Sequence, residues 1–318
     1  MRFVLALALS GAGLAFGLIF DLFGRRRTRP AAAVATSAPA TEGLHATQVP
    51  GESLRPRAGR SVAEPRGALD FSPPAIPEPS DGHTPDRAFP RMVGGLDGCR
   101  KGWVMVITSV DEPGPGLVSM VSDTEEVVAL VDAGQLVAVA VDIPIGLPGI
   151  GPRLCDVEAR KLLGPRRSSV FPAPVRAVVG SSSYAEACAR SRATCGKALS
   201  KQTYAILPKV EAVDEVMSPE RQAKVVEVHP EVSFTLLAGH PMAHHKATAD
   251  GRAERRAVLR TVFTDVDERA EELFAGTQPD DILDAFVAAS SARRWVTGSC
   301  RRLGGELDER SLRMEIIA

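Results

Sequence analysis

Residues 136–141 read Leu-Val-Ala-Val-Ala-Val, and the run stops at Asp142. A strand with one face in water alternates apolar and polar residues, whereas a strand buried on both faces reads as a continuous apolar run and belongs in a parallel sheet. Ile143-Pro144-Ile145-Gly146-Leu147-Pro148 follows. Proline has no N–H to donate, so this segment cannot continue a ladder. A chain with such a strand needs helices on the faces of its sheet.

The other elements after residue 91 fit that requirement. Met92–Asp97, Trp103–Val110 and Leu117–Ser122 read as strands joined by the glycine-bearing turns 98–102 and 111–116. Turns this short make an antiparallel meander. Thr124–Ala133 reads as a helix capped by Thr124, with Val127, Val128, Leu130 and Val131 on its apolar side. After the buried strand come a helix over Cys155–Leu163 closed by Gly164 and a long, partly helical insertion (168–174 and 181–213). A fifth strand over Lys224–Val228, stopped by Pro230, and a last helix from about Asp280 to Val296 complete the set. The order β-β-β-α-β-(insertion)-β-α predicts an α/β architecture: a mixed five-stranded sheet, three antiparallel strands plus parallel strands, with helices on both faces and a helical insertion. This is the strand order of the ribonuclease H-like fold.

That domain would occupy 92–318. Residues 1–91 differ in kind, with eleven Arg, eight acids and no Lys. Phe3–Phe20 is almost continuously apolar and is followed by Asp21 and Arg25-Arg26-Arg27. Its length approaches the ~20 residues of a membrane-spanning helix. Read as a signal-anchor through residues 3–23, with the Arg cluster on its C-terminal side, it leaves the folded part in the cytoplasm. Read as a start assigned too far upstream, it does the same. A secretory signal suits it less, since only Arg2 charges its beginning and no A-x-A site follows at once. Residues 1–24 thus form an apolar segment. Residues 25–91 form a Pro/Ala/Arg-rich linker whose composition cannot bury enough apolar surface to offset chain entropy.

Charge and cysteine usage exclude several classes. The chain has 38 Lys+Arg against 39 Asp+Glu, so it is not a histone-like electrostatic DNA binder. Cys99, Cys155, Cys188, Cys195 and Cys300 form no CxxC pair. An odd number so spaced excludes a disulfide framework and a standard zinc ribbon, and suits the reduced thiols of the cytosol.

Two acids end core strands: Asp97 the first and Asp142 the fourth. In this topology those strands are parallel neighbours, so both carboxylates emerge at one sheet edge, where open α/β sheets bind ligands. Each alone has a plain alternative. Asp97-Gly98 is common turn chemistry, and Asp142 can turn or cap beside Pro144; neither alternative accounts for both. Like charges so placed repel unless a cation or proton joins them. Mg²⁺ suits the position, taking one or two carboxylates with water and phosphate. The last helix adds Asp281 and Asp284, spaced i, i+3 on one face, with Ala285 and Ala288 small enough to let it approach the sheet. Asp280 is expected to cap that helix and Asp281 to complement its dipole, while Asp284 lies past the first turn. In the fifth strand, Glu227 shares a face with Val225 and His229, and a carboxylate there is costly unless paired or metal-bound. Glu231 can cap the helix that follows. Four acids from separate elements can hold two divalent cations ~3.5–4 Å apart, activating a water and stabilising the leaving oxygen of a phosphodiester. The expected catalytic acids are Asp97, Asp142, Glu227, Asp281 and Asp284. The expected ligands of Mg²⁺ or Mn²⁺ are Asp97, Asp142, Glu227 and Asp284.

Residues suited to a polyanion accompany them. Arg100 and Lys101 follow Asp97, and Arg166-Arg167-Ser168-Ser169 precede Phe171. Gln202 and Lys246 are read as lying in the insertion, and His229 follows the fifth strand. Arg suits phosphate geometry, and aromatic rings stack on bases. Arg100, Lys101, Arg166, Arg167, Ser169, Gln202, His229 and Lys246 are the expected substrate contacts, with solvated surface charge as the plain alternative. The acidic folded region argues for local contacts rather than a broad nucleic-acid groove. His240, His244 and His245 do not read as a zinc site: the Glu of H-E-x-x-H is absent and Pro241 disturbs the turn.

Six segments occur in order: Gly95-Leu96-Asp97-Gly98-Cys99-Arg100-Lys101-Gly102-Trp103, Asp142-Ile143-Pro144-Ile145-Gly146-Leu147-Pro148, Cys155-Asp156-Val157-Glu158-Ala159-Arg160, Ser169-Val170-Phe171-Pro172-Ala173-Pro174, Glu227-Val228-His229-Pro230-Glu231 and Asp280-Asp281-Ile282-Leu283-Asp284-Ala285. Together they resemble the DUF429 family, a domain of unknown function described as predicted RNase H-like nucleases. The resemblance covers about residues 92–317. It implies a ribonuclease H-like fold, a metal-dependent hydrolase, and Asp97, Asp142, Glu227 and Asp281 or Asp284 as its acidic cluster. It supplies no substrate. The leading expectation is a nuclease or related phosphodiester hydrolase acting on DNA or RNA. One alternative is an ATP-dependent phosphotransferase of the actin/sugar-kinase type, whose first phosphate hairpin Asp97-Gly98 and Gly102 resemble, with Gly304-Gly305 as an adenosine-site candidate. A single core and the lack of a P-loop argue against it. The other is a non-catalytic binding module that keeps the acids for fold or ion binding.

Overall fold

Alternation within the apolar run decides how each face of the sheet is covered. The computed structural model describes residues 90–111, 114–272 and 274–318. The main sheet comprises β1 (Met92–Cys99), β2 (Gly102–Ser109), β3 (Leu117–Val121), β4 (Ala138–Val141) and β5 (Val225–Glu227), in the order β3-β2-β1-β4-β5. β1, β2 and β3 pair antiparallel, and β4 lies parallel between β1 and β5. The helices are α1 (Thr124–Asp132), α2 (Leu154–Leu163), α3 (Tyr184–Cys195), α4 (Lys201–Val216), α5 (Pro230–Ala238), α6 (Ala249–Leu259), α7 (Val266–Arg269) and α8 (Pro279–Val296).

Ala138 and Ala140 of β4 pack with Val93, Val226, and Ala288 and Ala292 of α8. Val139 and Val141 face the other way, beside Val127 and Val128 of α1 and Val213 of α4. Small residues under α8 let it lie directly on the strands. A Cβ at Gly95 would stand 2.1 Å from Ala289 N and 2.2 Å from Ala285 O, so the close approach itself requires glycine. Farther out, Phe286 meets Phe263 edge-on, with ring centres 4.8 Å apart, in a core shared with Val104, Val106 and Phe234. Each fully buried Val or Phe of this kind contributes roughly 1.5–3 kcal/mol.

Three local expectations are corrected. The cap of α1 is Asp123, whose side chain accepts from Glu126 N at 3.0 Å; the Thr124 hydroxyl donates instead to Ala212 O at 3.1 Å. The cap of α8 is Gln278, in a reciprocal box with Asp281, so Asp280 lies inside the first turn. Past α8 the chain forms an unanticipated hairpin, β6 (Arg302–Leu307) with β7 (Arg313–Ile317). Gly304 and Gly305 belong to β6 and not to a nucleotide loop. Gly304 has φ 76° and donates its N–H to Glu158 of α2 at 2.8 Å, where a Cβ would stand 2.7 Å from that of Cys155. No helix among the described residues is long and apolar enough to cross a membrane. The apolar segment 1–24, its signal-anchor reading and the linker up to residue 89 lie outside the described residues.

Candidate active site at the strand ends

Asp97 follows Leu96 in β1, and Asp142 follows the last residue of β4. Leu96 O accepts from Asp142 N at 2.9 Å, carrying the parallel ladder one step farther and holding the two acids side by side. Side chains alternate along a strand. Gly95 and Ala140 lie under α8, so Asp97 and Asp142, two residues on, point the same way. There they share one cavity with Asp281 and Asp284 from the start of α8. The helix terminus offers only about half an elementary charge to offset them.

Asp97 is 6% exposed. No described residue donates a hydrogen bond to the carboxylate of Asp97 or Asp142. Burial, then repulsion from Asp142 and Asp284, pushes the Asp97 carboxyl well above the usual range, against the pull of Lys246. Asp284 is 2% exposed. Lys246 Nζ donates to its Oδ2 at 2.6 Å and lies 3.4 Å from Asp280 Oδ2. Burial still dominates and pushes Asp284 up to about 6. For the Lys246 ammonium burial acts the other way, but Asp284 and Asp97 outweigh it and raise its pKa. Asp281 accepts from Gln278 N at 2.8 Å through Oδ2, and burial raises its pKa too.

Glu227 lines the same cavity, but the same alternation turns it away from α8. Val226 and Val228 face α8, so Glu227 points to the opposite face with Val225. Both its oxygens are engaged: Arg153 donates Nη1 to Oε2 at 2.7 Å and Nη2 to Oε1 at 2.6 Å, and Ile145 N reaches Oε2 at 2.7 Å. Arg153 also donates to Asp156 Oδ1 at 2.7 Å. Burial pushes Glu227 up to about 7 in spite of Arg153, since one buried cation serves two acids. Glu227 therefore ties β5 to the segment before α2, with both oxygens bonded to Arg153 and one of them also to Ile145 N.

The acids open into a cavity of 650 Å³, within the roughly 300–1,000 Å³ of small-ligand sites. Of the expected contacts, Arg100, Arg166, Ser169, His229 and Lys246 line it, whereas Lys101, Arg167 and Gln202 do not. Lys101 lies along Gly276 instead. Glu231 is not a helix cap; it holds Arg166 at 2.9 Å and the buried Arg255 at 2.6 Å. His229 Nε2 lies 3.3 Å from Ser169 O, while its Nδ1 is buried without a partner. Phe171, also on the cavity wall, is 47% exposed.

Two lining cations, Arg153 and Lys209, fall outside the expected contacts. Lys209 of α4 donates to Gly102 O at 2.6 Å and stands 4.2 Å over the Trp103 ring; burial lowers its pKa. The available signal was helical spacing: Ala205, Ile206 and Lys209 share the face away from buried Leu207 and Val210.

A hard divalent cation would find two donors here. Asp97 and Asp142 present only oxygen donors, with no protein hydrogen bond to satisfy them, as Mg²⁺ or Mn²⁺ requires. Among the described residues no group of three or more His, Cys, Asp or Glu is placed to hold a metal ion. Lys246 is paired with Asp284.

A family model described as a protein of unknown function, DUF429, matches residues 95–309. No curated protein and no solved structure matches the chain. The matched span runs from β1 through β6 and includes Asp97, Asp142, Asp281 and Asp284, so the chain belongs to the DUF429 family.

Proposed function

We propose that this protein hydrolyses phosphodiester bonds of nucleic acid, with Mg²⁺ or Mn²⁺ at Asp97 and Asp142 and with Asp284 as the third donor. One observation carries the reading: two adjacent strand-end carboxylates receive no hydrogen bond, in a cavity whose other walls present Arg100, Arg166 and Lys209. Carboxylates without a protein donor leave their oxygens open to a cation, cations on the same walls favour an anion, and a phosphodiester on a divalent cation answers both. The sheet order β3-β2-β1-β4-β5, with β1 to β3 antiparallel, is that of the ribonuclease H-like fold and supports the same reading.

When bound, the cation would polarise a phosphoryl oxygen and make water more acidic. The protein's own groups do the rest. Asp97 and Asp142 fix the cation at the strand ends. Lys209, held by Gly102 O and Trp103, presents its charge with little further loss of side-chain freedom. The exposed ring of Phe171 offers a base a stacking surface. In the reaction, a water oxygen forms the new P–O bond and the ester P–O bond breaks. The proton released by the water is balanced by one taken up by the leaving oxygen.

The test is Mn²⁺-dependent cleavage of DNA and RNA by the full-length protein beside Asp142→Asn. The variant is expected to lose roughly 100-fold or more in turnover. Unchanged turnover would remove the strand-end acids from the mechanism. ATP turnover without strand cleavage would replace this reading with the phosphotransferase.

A further inference from the structure

Lys246 lies in the loop between α5 and α6 and reaches the start of α8. Its Nζ stands 2.6 Å from Asp284 Oδ2 and 3.4 Å from Asp280 Oδ2. These two acids are spaced i, i+4, so one ammonium bridges a turn of the helix on one face. Asp97 and Asp142 attract the same ammonium from the strand ends. The loop that carries it is pinned on both sides. Glu254 accepts from Ala243 N at 2.7 Å and His244 N at 3.0 Å, and His245 O accepts from Thr248 N at 3.0 Å and its Oγ1 at 2.7 Å. Glu227 is engaged in a similar way, with both oxygens on Arg153. Of the four acids that two divalent cations would share, protein cations therefore hold two. Asp97 and Asp142 receive no hydrogen bond from the described residues.

One or two carboxylates with water and phosphate are the usual complement of a single Mg²⁺. A two-cation centre needs a second divalent ion ~3.5–4 Å from the first. Here that ion would have to displace the ammonium from Asp284 or share the carboxylate with it. A divalent ion and an ammonium so close repel strongly, and salt screens partly buried charges little. We infer that the centre holds one divalent cation, at Asp97 and Asp142, and that Lys246 is a built-in second cation standing where another metal ion would bind. Asp284 keeps its Oδ1 for the one metal while Oδ2 stays with Lys246. The ammonium offers a phosphoryl oxygen positive charge and N–H donors, but unlike a metal it binds no water to activate. This inference rests on the metal-dependent reading above and fixes its cation count at one, where four free acids would have held a pair.

The test titrates Mn²⁺ into full-length wild type, Lys246→Met and Lys246→Arg, with and without a DNA oligonucleotide. Calorimetry counts the ions. Electron paramagnetic resonance distinguishes an isolated Mn²⁺ from two ions ~3.5–4 Å apart, which couple magnetically. Wild type and Lys246→Arg are expected to bind one Mn²⁺ per chain with the spectrum of an isolated ion. Lys246→Met is expected to bind two, with a coupled spectrum. Two coupled ions in wild type would overturn the inference while upholding the metal site, and this count decides even where Lys246→Met does not fold. A single ion in Lys246→Met that is folded by circular dichroism would equally overturn the role of Lys246. No binding by wild type in either condition would overturn the metal-dependent reading, and this inference with it.

Discussion

Replacing Asp284 by Asn should stabilise the metal-free protein at alkaline pH and do little in acid. The folded structure pushes this carboxyl from its ordinary 3.8 up to about 6, chiefly by burial. Below about pH 4 the group is protonated in both folded and unfolded chains and contributes no difference. Between about pH 4 and pH 6 the folded protein keeps a proton that the unfolded chain has released, so stability falls as pH rises. Above that window the group is ionised in both states and the loss is constant, at about 3 kcal/mol. Asn mimics the protonated form and escapes the loss. The attraction of Lys246 is already contained in the shift, so the variant does not forfeit it a second time. Urea denaturation in EDTA is the assay. The variant should exceed wild type by about 2–3 kcal/mol near pH 8, and the gap should shrink to less than ~1 kcal/mol near pH 4.5. A variant less stable than wild type near pH 8, or a gap independent of pH, would show that the Lys246 contact outweighs burial and that the electrostatic account of the cluster is wrong.

Three further outcomes follow from the packing. Arg153→Met leaves Glu227 and Asp156 buried without their cation and should cost about 3–5 kcal/mol; adding Glu227→Gln should recover at least ~1 kcal/mol, and no recovery would refute the tie. Gly95→Ala drives a Cβ into the backbone of α8 at Ala289 and Ala285, so the thermal midpoint should fall by an amount equivalent to about 1–3 kcal/mol; a wild-type midpoint would contradict the close approach. Lys246→Met removes the ammonium that holds Asp284 and should tighten Mn²⁺ binding by about tenfold or more, roughly 1.4 kcal/mol; weaker binding would mean that Lys246 assists the metal instead of competing with it.

The strand-end acids were legible because each closes an apolar run, and the order of elements made those runs neighbours. Asp97, Asp142 and Asp284 thus share one cavity, as their positions suggested. Glu227 was read from the cost of a carboxylate in a core strand. Its own alternation, with Val226 and Val228 on the opposite face, turns it away from α8, though it lines the same cavity. What answered that cost was Arg153, 74 residues away, a pairing no local pattern encodes. Lys246 was legible as a cation near the site, but not as the partner of Asp284, because loop 240–248 carries no periodicity to place it. The β6–β7 hairpin escaped because Gly304 and Gly305 interrupt the alternation that marks a strand. The caps of α1 and α8 moved by one or two residues where a neighbouring Asp or Gln could reach the same backbone donors.

Calorimetric titration of Mn²⁺ into the full-length protein, beside the double variant Asp97→Asn/Asp142→Asn, tests the central claim most directly. The strand-end site predicts saturable binding in wild type that is abolished in the double variant, with the folded state intact by circular dichroism. Equal binding by both proteins would place the cation elsewhere, and no binding by wild type, even with nucleic acid present, would contradict a divalent-cation site at these acids.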